Sequence, residues 1–209
     1  IHVICEKPAG VYAAQVKEMN AAAAKSKALF GMMFNQRTNC VYRKMKEMLD
    51  GGELGQLKRV NWIITNWYRT QYYYDSGAWR ATWEGEGGGV LLNQCPHQLD
   101  LIQWVVGMMP SKIRSFMSFG KYHKIEVEDA ATVLVEFENG AIGTIEGTTC
   151  VVPGYPRELE LCGEKGCIVL QEDRIKRWDI EGEPSQVDKD QSHHNSFNNP
   201  TAFSPEHHI

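Results

Sequence analysis

The stretch 127–149, VEDAATVLVEFENGAIGTIEGTT, decides the fold. Ala131–Phe137 and Ala141–Thr149 read as two strands. Glu138-Asn139-Gly140 between them reads as a hairpin turn, because Asn-Gly supplies the positive φ angles of a tight connection. An antiparallel pair is therefore written into the middle of the chain.

More of the same sheet follows outward. Glu158–Leu161 and Cys167–Gln171 read as strands around a second turn, Gly163-Glu164-Lys165-Gly166, and Ile113–Phe119 as a strand on the other side. Leu57–Trp67 alternates and is rich in β-branched and aromatic residues, which predicts a long strand. Gly88–Val106 reads as one helix with Leu92, Leu99, Ile102 and Val106 on its apolar face. Tyr42–Leu49 is a short amphipathic helix stopped by Gly51-Gly52.

The first 37 residues follow a different grammar. Ile1–Cys5 is an apolar, strand-like run expected to be buried, and Glu6-Lys7-Pro8-Ala9-Gly10 is the turn that leaves it. Ala13–Lys25 is alanine-rich with Val16, Met19 and Ala23 on one face, and Leu29–Phe34 is a second buried strand. Strand, helix and strand with short connections form a parallel βαβ unit. The fold class expected is thus α/β plus α+β: a parallel βαβ unit over residues 1–37, then a large, mainly antiparallel sheet with one prominent helix over 38–209. From about residue 182 the sequence is polar and rich in Asn, Ser, His and Pro, and reads as an irregular tail.

Composition excludes several classes. The net charge of −4 provides no basic footprint for nucleic acid, and the patch Lys112, Arg114, Lys121 and Lys124 reads as a solvated edge. No run approaches the ~18 uninterrupted apolar residues of a membrane span; Val90–Met109 comes nearest but holds Asn93, Gln94, His97, Gln98, Asp100 and Gln103. Six scattered cysteines read as reduced thiols of a cytoplasmic protein. Cys162 and Cys167 lack a second pair at zinc spacing, so no metal site is expected.

Three clusters carry chemistry. Glu6-Lys7-Pro8 sits at the carboxyl end of a parallel strand, where open α/β sheets bind ligands. The run from Glu86 to Asp100 begins with a glycine triplet, which lets a backbone or ligand approach closely. It lacks the G-x-G-x-x-G spacing and follows no parallel strand, so it is not a dinucleotide loop. Asn93 and His97, four apart, share a face if the helix is continuous. His97 can exchange a proton near neutral pH, and Asp100, three residues on, is placed to hold its imidazole. Pro96 inside this helix removes a hydrogen bond, which costs about 3 kcal/mol unless a kink is wanted. The third cluster is aromatic, Trp62 to Trp83, interleaved with Arg69 and Arg80. It suits either a sugar's apolar face and hydroxyls, or packing and a subunit interface.

Together "VICEKPAG", "FNQR", "WR", "EGGGVLLNQCPHQLDLIQWVVG" and "VEDAATVLVEFENGAIGT" make the chain resemble the Gfo/Idh/MocA oxidoreductases over nearly its whole length. The resemblance implies that residues 1–37 are the last βαβ unit of a dinucleotide-binding Rossmann domain and that 38–209 form an open-faced substrate-binding and oligomerisation domain, with NAD or NADP as cofactor and hydride transfer to or from a secondary alcohol of a sugar, polyol or sugar-like acid. It implies that His97 transfers the proton, with Lys7 beside the nicotinamide and Asn93 at the place where many members carry an aspartate. An amide takes no proton, so His97 and Lys7 would share the acid–base work. The cofactor set is Glu6, Lys7, Pro8, Gln36, Arg37, Trp79 and Arg80; the substrate set is Asn66, Arg69, Tyr155 and His97. The resemblance also implies a sharp, cis Lys7–Pro8 turn.

The family's glycine fingerprint would lie upstream of Glu6, so these 209 residues alone are expected to bind dinucleotide poorly. A carbohydrate-like small molecule is the expected partner. An open sheet with a helix on one side is expected to leave an apolar face that a homodimer or homotetramer covers. The competing reading is a non-catalytic sugar-binding or assembly protein that kept the fold; Asn93 favours it, while Lys7 and His97 oppose it.

Overall fold

A computed structural model of the chain describes residues 1–182 together with Pro184, Ser185 and Val187; the tail expected to be irregular otherwise lies outside the described residues. The chain opens with β1 (Val3–Cys5), α1 (Ala13–Ala24) and β2 (Phe30–Met32), and β1 pairs with β2 in parallel. Val16, Met19 and Ala23 form the half-buried side of α1, the face its spacing predicts. The expected burial of these two strands is not found. Ile1, Val3, Ile4 and Leu29 are all exposed, because no third strand or second helix layer covers the pair among the described residues.

The remainder is built on a seven-stranded sheet of β3 (Leu57–Ile64), β4 (Pro110–Phe119), β5 (Glu128–Phe137), β6 (Ile142–Thr148), β7 (Glu158–Gly163), β8 (Gly166–Gln171) and β9 (Arg174–Ile180). Their order is β4-β5-β6-β3-β7-β8-β9, with β3 and β6 parallel and every other neighbour antiparallel. Both turns read from the sequence join hairpins, with Gly140 at φ +82°. β3 stops at Ile64, short of the predicted Trp67, and β9 was not anticipated. In β9 only Trp178 and Ile180 are buried, between charged neighbours.

Alternation along β3 sends Val60, Trp62 and Ile64 to one face, where α2 (Cys40–Gly51) and α5 (Pro96–Val106) pack. Asn39 caps α2 by accepting from the Val41 N–H, and Gly52 ends it in the left-handed conformation. Tyr42, Met45 and Met48 on α2 meet Leu101, Ile102 and Val105 on α5, and Tyr42 stacks on Trp62. Burial of these aliphatic and aromatic side chains is the main stabilising contribution.

The uncovered face departs from the apolar surface expected. Register places Arg59, Asn61, Lys112, Thr132, Glu136, Thr144 and Glu160 there, with Phe116, Leu134 and Ile142 scattered among them. Asn61 donates to Glu160 and accepts from Thr144, and Lys112 pairs with Glu136. Polar side chains satisfied within one face leave a mixed polar and apolar surface.

The predicted helix 88–106 is two helices, α4 (Val90–Asn93) and α5, after the short α3 (Gln71–Asp75). Pro96 has no N–H to donate and its ring clashes with the carbonyl four residues back, so the helix breaks and restarts with Pro96 at its first position. Gly107 then closes α5 in the left-handed conformation.

Candidate active site

The break at Pro96 builds the site. Carbonyls at a helix end lose their helical donors, and the Asn93 carbonyl accepts a 2.7 Å hydrogen bond from Lys7 Nζ. The backbone of Asn93, not its amide, is what the lysine uses. The Lys7–Pro8 peptide in the turn after β1 is cis.

The glycine triplet brings that turn and the sheet together. A Cβ on Gly87 would stand 2.1 Å from the Val11 carbonyl oxygen, and one on Gly89 1.9 Å from that of Glu128. The expected close approach is therefore of backbone on both sides. Glu128, buried at the start of β5, accepts from the N–H groups of Gly89 and Leu91 and so caps α4.

Electrostatics converge on the same place. Burial lowers the pKa of Lys7, against the opposing charges of Glu6, Glu86 and Cys95. Burial also lowers that of His97, and the Lys7 ammonium lowers it further, while Asp100 and Glu6 act the other way. His97 Nδ1 is buried with no protein partner, and the ring meets Phe34 edge-on at 6.1 Å. A neutral imidazole beside an ammonium is an arrangement able to accept a hydroxyl proton while the lysine polarises the oxygen.

Asp100 does not hold His97. It binds Arg37 through two hydrogen bonds, at 2.8 and 2.5 Å, and Arg37 lies over the rings of Phe34 and Trp104. A fork-shaped guanidinium satisfies both carboxylate oxygens at once, which an imidazole cannot do. Arg37, assigned to cofactor, thus clamps the segment after β2 onto α5, and neighbouring Gln36 keeps a buried, unpartnered Oε1. Asp100→Asn should lower the pKa of His97 further, since it removes a negative charge that raises it. An NMR titration in which His97 gained basicity would contradict this electrostatic account.

The remaining candidates form two further groups. Arg80 is sandwiched over Tyr73 and Trp79, bonds Ser76 and the Tyr73 hydroxyl, and opposes the desolvation of Glu86. Glu86 was missed in the sequence although it precedes the glycine triplet; its burial and its field at Lys7 are tertiary facts. Asn66, Arg69 and Tyr155 sit beyond the ends of β3 and β6. Asn66 donates to Glu172, Arg69 stacks over Trp67 and Tyr73, and the backbone of half-exposed Tyr155 both accepts from and donates to the Thr65 hydroxyl.

A profile described as the GFO/IDH/MocA C-terminal domain matches residues 42–169. Among similar proteins is myo-inositol 2-dehydrogenase of Thermotoga maritima, 26% identical over 80% of this chain and 48% of its own. Another is trans-1,2-dihydrobenzene-1,2-diol dehydrogenase of Bos taurus, 32% identical over 80% of this chain and 47% of its own. The crystal structure of the WlbA dehydrogenase from Bordetella pertussis, in complex with NADH and UDP-GlcNAcA, superposes with a TM-score of 0.81. It is 29% identical and covers 88% of this chain and 56% of that one. The chain spans about half the length of the curated relatives it matches. With the profile covering more than half of the chain, including α5, five whole strands of the open sheet and most of β8, this protein belongs to the GFO/IDH/MocA family.

Proposed function

We propose that the protein carries the proton-transfer and substrate side of an NAD(P)-dependent oxidoreductase acting on a secondary alcohol of a sugar, polyol or sugar-like acid. The observation that carries this is the meeting of Lys7 with the broken helix of His97 across the junction of the βαβ unit and the open sheet. Residues 1–37 would then be the last unit of the dinucleotide-binding domain and 38–209 the substrate and assembly domain. His97 takes the hydroxyl proton as hydride leaves the carbinol carbon, and Lys7 stabilises the oxygen. Glu6, Pro8, Gln36, Trp79 and Arg80 border the cofactor, and Asn66, Arg69 and Tyr155 the remote part of the substrate. NADH in a related structure, and the sugar acid bound there, support this reading.

The test is formation of reduced nicotinamide by the full-length protein on a panel that includes myo-inositol and UDP-GlcNAcA, with NAD+ and NADP+ in parallel. Saturable binding of a sugar without any hydride transfer would favour a binding protein instead. The mixed open face is proposed to pair with a second copy; light scattering at micromolar concentration should give at least a dimer, and a monomer would refute the pairing.

A further inference from the structure

Beyond β4 the chain brings together three side chains that the reading above does not use. His123, in the loop before β5, Asp129, the second residue of β5, and Cys150, just past β6, hold their ligand atoms within 4.8 Å of one another. His123 Nδ1 is 3.6 Å from Asp129 Oδ2 and 3.8 Å from Cys150 Sγ.

The surroundings fix what each atom offers. His123 Nε2 is 2.9 Å from the Arg69 carbonyl oxygen, which can only accept, so Nε2 carries the hydrogen and Nδ1 turns a lone pair to the cluster. Metal-binding histidines are held in this way, with the second nitrogen donating to a carbonyl or carboxylate. Asp129 is fully buried. Its Oδ2 accepts from the Tyr122 and His123 N–H groups, and its Oδ1 is buried with no partner among the described residues. A buried carboxylate with one oxygen unpaired among the described residues, an imidazole lone pair, and a thiol that gives its proton to the Asp129 carbonyl at 3.2 Å gather electron-rich atoms at one point.

We propose that His123 Nδ1, Asp129 and Cys150 Sγ bind a zinc ion that braces the 120–129 loop against the segment carrying Arg69 and Thr149. Zinc bonds of about 2.0–2.3 Å in a tetrahedron separate the ligands by about 3.3–3.8 Å, and the 3.6 and 3.8 Å from His123 Nδ1 to Asp129 Oδ2 and Cys150 Sγ fall in that range. Nitrogen, oxygen and sulfur in one set suit zinc better than calcium or magnesium. Binding replaces the thiol proton, which leaves to solvent as the zinc–sulfur bond forms. Cys150 is partly exposed, which gives the ion access and room for a water as fourth ligand. Arg69 donates its backbone N–H to the Thr149 carbonyl, so the brace reaches the candidate substrate loop from two sides.

Cobalt(II) titration of the purified, metal-stripped protein is the test, since a cysteine ligand produces a thiolate-to-cobalt charge-transfer band that histidines elsewhere in the chain cannot. One equivalent should develop the band and zinc should displace it. Cys150→Ser should abolish the band, and Cys150→Ser and His123→Gln should each weaken zinc binding by at least about 100-fold, the upper end of what losing an outer-shell partner costs. Cys162→Ser with Cys167→Ser should leave the band intact. In the unaltered protein, zinc should also protect Cys150 from alkylation, read by peptide mass spectrometry, which covers the case of a variant that fails to fold. No band, a band that survives Cys150→Ser, or no protection would each overturn the proposal.

Discussion

His97→Ala should lower turnover of the whole enzyme by about 10²–10⁴, the range for loss of a general acid–base group. The pH profile should carry the signature of its surroundings. Burial and the Lys7 charge hold the His97 pKa below its ordinary 6.5, so the neutral, proton-accepting form prevails at pH 7. In the direction of alcohol oxidation, kcat/KM should therefore fall only on acidification below the usual histidine range. The alkaline limb belongs to Lys7, whose burial moves its pKa below the ordinary 10.5. Lys7→Met should remove that limb and shift the acid limb upward, because the positive charge that suppresses His97 protonation is gone. Opposite movement of the acid limb would refute the pairing of these two residues, whatever the loss in rate.

Gly89→Ala and Gly87→Ala should separate stability from positioning. At Gly89 the new methyl would enter the Glu128 carbonyl, 1.9 Å away, in a backbone anchored by the Glu128 carboxylate. Overpacking of this severity costs about 3 kcal/mol or more, which in a chain of this size lowers Tm by about 6–12 °C. At Gly87, with φ +78°, the methyl meets Val11 and also demands a left-handed backbone. The turn bearing Lys7 is the lighter partner there, with no covering layer, and should move away. Gly87→Ala should thus lose as much as about 10²-fold in turnover through misplacement of Lys7, with a smaller fall in Tm than Gly89→Ala. Thermal melts beside kinetics on the same samples decide it; equal effects of the two substitutions on both measures would show that the triplet does not position Lys7.

Local sequence determined much of this protein. Period-two alternation and the Asn139-Gly140 turn produced the antiparallel sheet, since a strand's side chains alternate whatever its neighbours are. The short βαβ pattern specified the parallel pair of β1 and β2, and the order of motifs along the chain pointed to the family. Lys7 and His97 stood out as candidates through local position, a lysine at a strand's carboxyl end and a histidine behind a glycine run, but their expected roles came from the resemblance.

Tertiary structure decided what those residues touch. Pro96 was visible, but whether it kinked or broke the helix depended on packing against α2 and on Glu128 capping α4 from another strand. The Lys7 bond to the Asn93 carbonyl crosses 86 positions, and the Arg37–Asp100 clamp 63. Asp100 faced two claimants, and the guanidinium won because it can fill both carboxylate oxygens. The meeting of His123, Asp129 and Cys150 needs three separate segments to reach one end of the sheet. β9 escaped notice because its charged residues outnumber the two it buries. Such contacts follow from strand order, with β3 inserted between β6 and β7. That order is set by which assembly of faces buries the most apolar surface, a property of the whole chain that no local period encodes.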